Sequence, residues 1–225
     1  MRLFLRNTIS GLLLVSASAV VHATDLNTSE QKLSYVLGFQ FAKQMKSEGI
    51  NLDVTAFAAA IDDVFKDQPV QMSTDNMRAA LQEGRQVVME KKQAEAQAAL
   101  VAGNAFLEEN KSKDGVVVLP SGLQYIELKA GEGESPKAEA EVTVHYRGTL
   151  INGEEFDSSY KRGEPTSFGL SGVIPGFRES LTLMKPGAKW RVFVPSEMGY
   201  GAKGAGASIG PNQALIFDIE LISIK

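Results

Sequence analysis

The chain has no cysteine in its 225 residues. That excludes disulfides, a thiol nucleophile, a cysteine-held metal and the acylated cysteine of a bacterial lipoprotein. It has only two histidines, His22 and His145, too few for a multi-histidine zinc or iron centre. Basic charge is not in excess: 23 Lys and Arg stand against 27 Asp and Glu, a net −4, which leaves no electrostatic footprint for nucleic acid. A membrane-length apolar run is also missing. The most apolar stretch, Ile9 to Val21, has 13 residues, against roughly 18 or more for a span. What is present, 44% hydrophobic and 22% charged residues, is the composition of a folded chain of one or two domains.

The short apolar stretch reads as an address. Arg2 and Arg6 form a positive start, and Val21-His22-Ala23 puts small residues at −3 and −1 for cleavage after Ala23. Residues 1–23 are therefore expected to be a secretory signal peptide. Its loss would take the net charge from −4 to −6 and leave His145 as the sole histidine. The periplasm is the expected destination, with association with the outer-membrane surface left open.

Two halves follow with different chemistry. Residues 24–113 hold one proline, Pro69, and helical spacing dominates. Thr28 with Gln31 is a capping box. Leu33, Leu37, Phe41 and Met45 then recur at i+4, with Tyr35, Val36 and Phe39 widening the stripe. A second helix begins at Asp53 and carries Phe57, Ile61, Val64 and Phe65. Residues 24–72 thus read as a small helical domain, folded on itself or completed by a second chain. The apolar excess favours a homodimer. Residues 73–113 read as a third, long connecting helix of about 60 Å. Its stretch EKKQAEAQA, 90–98, has strong helix formers and no large apolar residue, so it is expected to be an exposed rod.

Residues 114–225 gather seven of the eight prolines and turn to alternation. Strands are expected at 122–128, 142–147, 155–157, around Trp190, Val192 and Val194, and at Phe217, Ile219 and Leu221. Asn152-Gly153 predicts a type I′ hairpin. One short helix fits between Pro175 and Met184, with Phe177, Leu181 and Met184 on one side. The expected class is α+β: N-terminal helices, a long helix and an antiparallel sheet wrapped on one short helix.

Five blocks carry a family likeness: VHYRGTL at 144–150, NGEEFDSS at 152–159, GVIPGF at 172–177, VPSEMGYG at 194–201 and ALIFDIELISI at 214–224. In order and spacing they resemble the FKBP-type peptidyl-prolyl cis-trans isomerases over roughly 110 residues. The whole layout is similar to the secreted Mip-like and FkpA-like bacterial members, which are dimeric and include chaperones. The resemblance implies proline-containing unfolded or partly folded polypeptides as substrates, macrolides of the FKBP type as inhibitors, and no cofactor or metal. That chemistry suits a chain without cysteine. Isomerising an X–Pro bond needs a dry apolar cup and a few donors that favour the twisted amide, not a nucleophile.

The resemblance implies that Tyr146, Phe156, Val173, Ile174, Phe177 and Phe217 line the prolyl pocket. Asp157 would be an acid bonded near Tyr146 that meets the substrate. Tyr200 would contact a substrate carbonyl, the Ile174 N–H would be a further donor, and Ile209 would be an apolar rim residue. Phe177 stands where many relatives have Trp, and Thr166 where the best-known ones carry an aromatic. The loop 202–211 is small and polar at Ala205, Gly206, Ala207 and Ser208. Plainer readings exist beside these. Val173, Ile174 and Phe217 would serve as ordinary core, and Asp157 as a hairpin-end residue bonding backbone N–H groups. His145, on the opposite strand parity from Tyr146, reads as structural or surface.

Overall fold

The structure is a computed structural model and describes residues 26–225. The signal-peptide reading of residues 1–23 lies outside them. Two compact units divide after Gln44. The first holds most of α1 (Ser29–Ser47), which begins at the expected capping box: Gln31 N–H donates to Thr28 Oγ1 at 3.1 Å, and Gln31 Oε1 accepts the Thr28 N–H at 3.0 Å. No residue of α1 is buried, and Leu33 is 60% exposed.

The second unit takes the last residues of α1 and then α2 (Val54–Phe65), where Asp53 caps the helix by accepting the Ala56 N–H at 2.9 Å. It too has no buried residue, and Phe65 is 86% exposed. Then comes α3 (Thr74–Asn110), capped by Ser73 and 37 residues long, about 55 Å. No helix among the described residues is long and apolar enough to cross a membrane.

The rest is an antiparallel sheet of seven strands: β1 (Val117–Val118), β2 (Gln124–Lys129), β3 (Glu141–Leu150), β4 (Glu155–Ser158), β5 (Thr166–Gly169), β6 (Lys189–Val194) and β7 (Leu215–Ile224), in the order β1-β2-β6-β7-β3-β4, with β5 also on β3. Two helices interrupt it, the single turn α4 (Ser159–Arg162) and α5 (Pro175–Leu183). Pro175 starts α5 where a missing N–H costs nothing. The helix lies so close to β6 that a Cβ on Gly176 would sit 2.5 Å from Val194 Cγ1. Phe177, Leu181 and Met184 are buried with Val142, Val144, Val192, Val194, Ile219 and Leu221. Period-2 alternation thus delivers one apolar face to α5.

The other face is not left to solvent. Phe193 and Ile216, paired across β6 and β7 and opposite in parity to that core, pack with Ala214, Phe106 and Leu107. The last turns of α3 therefore cover the back of the sheet. Buried Asn110 and Gln124 complete the joint: Asn110 Nδ2 donates to Gln124 Oε1 at 2.9 Å, and Gln124 Nε2 donates to the Leu107 carbonyl at 2.8 Å. The exposed rod is thus confined to the earlier part of the helix.

The hairpin expectation is corrected. A type I′ turn needs positive φ at both central residues, and only Gly153 has it, at 86°. Instead Gly153 N–H closes on the Leu150 carbonyl at 3.0 Å, Leu150 N–H bonds the Glu154 carbonyl at 2.8 Å, and Asn152 Oδ1 accepts the Glu154 N–H. This is a three-residue loop with Gly153 at the left-handed position, and Asn152 acts through its side chain.

Candidate active site

Strand β3 carries Tyr146, β4 carries Phe156 and Asp157, and β7 carries Phe217. The link into α5 supplies Val173 and Ile174, and α5 itself Phe177. Tyr200 follows a short 3₁₀ turn, and Ile209 sits in the loop before β7. All nine of these expected residues line one cavity of about 510 Å³, together with Phe168, Gly172, Ala205, Gly206 and Ser208.

Phe177, 4% exposed, is the hub of its aromatic lining. Its ring centroid lies 5.1 Å from Phe217, 5.6 Å from Phe168 and 5.8 Å from Tyr146, edge-on or tilted in each case. Phe156 meets Phe217 edge to face at 5.6 Å. Such pairings add about 0.5–1.5 kcal/mol each beyond burial and hold the rings in fixed attitudes.

One wall is polar. Tyr146 Oη donates to Asp157 Oδ2, and Arg162 Nη1 donates to Asp157 Oδ1, both in close contact. Arg162 Nη2 donates to Tyr146 Oη at 3.0 Å and to Thr166 Oγ1 at 3.1 Å, and the Ser158 N–H reaches Asp157 Oδ1 at 2.8 Å. Helix α4 makes this possible. Ser158 caps it and Gly163, at φ 80°, ends it after one turn, which returns Arg162 to Asp157. Burial pushes the Asp157 carboxyl up, but the bonds from Tyr146 and Arg162 and the Arg162 charge outweigh it, so the group stays below the usual carboxylate value. Burial, then the Asp157 bond, holds the Tyr146 hydroxyl above its ordinary value. Burial, then the Asp157 charge, does the same for Tyr200.

The site groups therefore keep one protonation state across neutral pH. Turnover should be flat from about pH 5 to about pH 9 in a pH–rate profile. Asp157 is depressed in the folded chain, so its contribution to stability is present above its unfolded value, near 3.9, and is lost as pH falls through the lower folded value. An acid limb centred above about pH 5 would contradict that assignment.

Three residues escaped the sequence reading. Phe168 lies two positions after Thr166 on β5, the same face by alternation, so an aromatic still walls the pocket there. Arg162 was signalled only by the need of a half-buried acid for a counter-charge, and Thr166 is its acceptor. Gly148 pairs with both Asp157 and Phe217, and a Cβ there would lie 2.5 Å from Phe156 Cε2 and 2.9 Å from Phe217 Cε1. Gly148→Ala should push both rings into the cavity. We expect turnover reduced about tenfold or more for a stability loss of about 1–3 kcal/mol in urea melts, and unchanged turnover would show that the rings have room elsewhere. His145 stays out of the cavity: its Nδ1 lies 2.9 Å from Ser159 Oγ and its ring stacks on Tyr160 at 4.6 Å.

Residues 132–222 match the family model of the FKBP-type peptidyl-prolyl cis-trans isomerase, and residues 30–126 that of the domain amino-terminal to it. The outer membrane protein MIP of Legionella longbeachae is 43% identical over 221 residues, 96% of this chain and 95% of that protein. The chain belongs to the FKBP-type peptidyl-prolyl cis-trans isomerases. The peptidyl-prolyl isomerase Mip of Coxiella burnetii is 44% identical over 212 residues, 90% of each chain. The crystal structure of FkpA from Escherichia coli aligns with a TM-score of 0.67 at 36% identity, over 88% of this FKBP-type chain and 98% of that one. The nine cavity residues fall on β3, β4, α5, β7 and the connecting loops of the matched isomerase domain.

Proposed function

We propose that the chain is exported and isomerises X–Pro bonds in folding polypeptides of the periplasm, with the prolyl ring held in the aromatic cavity. The observation that carries this reading is the cavity itself, an apolar cup centred on Phe177 with one hydrogen-bonded acid in its wall. The uncatalysed barrier is about 20 kcal/mol, chiefly lost amide resonance. The twisted amide is less delocalised and less polar than the planar one, so a dry cup favours it. Phe156, Phe177 and Phe217 would enclose the ring, with Val173 and Ile209 at the rim. The Ile174 N–H enters none of the backbone hydrogen bonds of the described residues and would donate to a substrate carbonyl, as would the protonated Tyr200 hydroxyl. Asp157 would hold Tyr146 in place and set a negative charge beside the bond that turns.

A protease-coupled assay on proline peptides, with and without an FKBP-directed macrolide, tests this. Catalysis abolished by the macrolide supports it, and no rate above background rejects it. The exposed apolar faces of α1 and α2 support a homodimer through residues 24–72, and sedimentation at the mass of one chain would reject that. Those faces also favour a second reading, an ATP-independent chaperone with incidental isomerase activity. Suppression of client aggregation that persists with the pocket blocked by macrolide would support it.

A further inference from the structure

We infer that Asn212 is a positioning residue for the pocket: its side chain ties the loop that forms the pocket rim to the backbone of the long helix. The inference rests on the isomerase reading of the cavity. The rim loop is closed on itself. Ala205 and Ile209 exchange both backbone bonds, at 2.8 and 3.1 Å, and the Gly204 N–H reaches the Gly201 carbonyl at 3.3 Å. Gly204 allows this closure: its φ is 64°, and a Cβ there would lie 2.3 Å from the Ile209 carbonyl oxygen. These bonds close the loop, but they persist and keep one attitude only while its ends are fastened.

Both ends meet at Asn212. Its N–H donates to the Gly201 carbonyl at 2.8 Å, one residue from Tyr200, and its Nδ2 donates to the Ala96 carbonyl of α3 at 3.2 Å. Asn212 is left-handed, at φ 56°, which Asn tolerates better than most residues. The turn alone does not account for the amide, since glycine would adopt the same backbone. Ala96 is a firm anchor because α3 beyond it is docked on the sheet. Gly103 lies so near β7 that a Cβ on it would be 3.0 Å from Ala214 Cβ, and Asn110 is bonded to Gln124. The helix thus acts as a strut that holds the Tyr200 and Ile209 side of the pocket at a set distance from the Phe177 floor.

The test uses the full chain with Asn212→Gly, which keeps the left-handed turn and removes the amide, and Asn212→Asp, which keeps the shape and turns an oxygen on the Ala96 carbonyl. We expect kcat/KM on proline peptides to fall about three- to tenfold in both, mainly through KM. Amide hydrogen exchange should quicken at Ala205 and Ile209 while Val192 and Ile219 in the sheet keep their protection. Unchanged KM and kcat in both variants overturns the inference, as does lost activity with unchanged exchange at Ala205 and Ile209. Faster exchange throughout the sheet also overturns it, because the role would then be general stability. No rate in the unsubstituted chain rejects the isomerase reading instead, and the exchange comparison still decides whether the strut exists.

Discussion

Phe177→Ala is expected to lose about 3–5 kcal/mol of folding stability and about ten- to hundredfold of turnover. The two losses share one cause. Phe177 touches the rings of Tyr146, Phe168 and Phe217 and also packs in the core beneath α5. Alanine would leave a void that the sheet cannot close, since β3 and β7 are paired over nine positions. The prolyl ring would lose its floor, and the three neighbouring rings would lose the surface that orients them. With a total stability of about 5–15 kcal/mol typical of a domain, the variant should still fold at low temperature, so both effects are measurable by urea unfolding and by peptide isomerisation. Phe177→Leu restores most of the volume without the ring and should recover stability more than turnover. Equal recovery of both would mean that the cavity needs apolar volume at this place and not an aromatic surface.

Asp157→Ala should lower turnover by about ten- to hundredfold with a smaller change in stability, about 1–3 kcal/mol. The carboxylate accepts from Tyr146, Arg162 and the Ser158 backbone at once. Its removal leaves the Tyr146 hydroxyl and one arm of Arg162 without an acceptor at the edge of an apolar cavity, where water would follow. Asp157→Asn separates charge from hydrogen bonding, because the amide oxygen still accepts from Tyr146 while the ion pair with Arg162 is gone. An intermediate rate for Asp157→Asn would assign part of the effect to the charge. Wild-type rates in both variants would show that the polar wall is structural only.

How much of this was legible beforehand follows from the range of each interaction. Helix starts were readable because a cap is made within three residues: Thr28 with Gln31 as expected, and Asp53 with Ala56 and Ser73 with Asn76 at the starts the sequence placed at 53 and 73. The core face of the sheet was readable because alternation is local. The type of the 150–154 loop was not, because Asn-Gly suits more than one turn and the bulge at Gly148 and Thr149 selects between them. Arg162 was missed because its partner, Asp157, is reached only after a one-turn helix reverses the chain. Gly148 was missed because the rings that need its bare Cα come from two other strands.

Capping and periodicity, which are written along the chain, carried the class, the main helices and five of the seven strands, and the five spaced blocks carried the family likeness, which implied the nine residues that line the cavity. The tertiary structure alone decided which counter-charge meets Asp157, which glycine makes room for the rings, and that the end of α3 covers the back of the sheet. Those contacts join residues far apart in the chain, such as Asn212 with Ala96 or Phe193 with Leu107. Their existence depends on how whole faces pack, a property that no local pattern encodes.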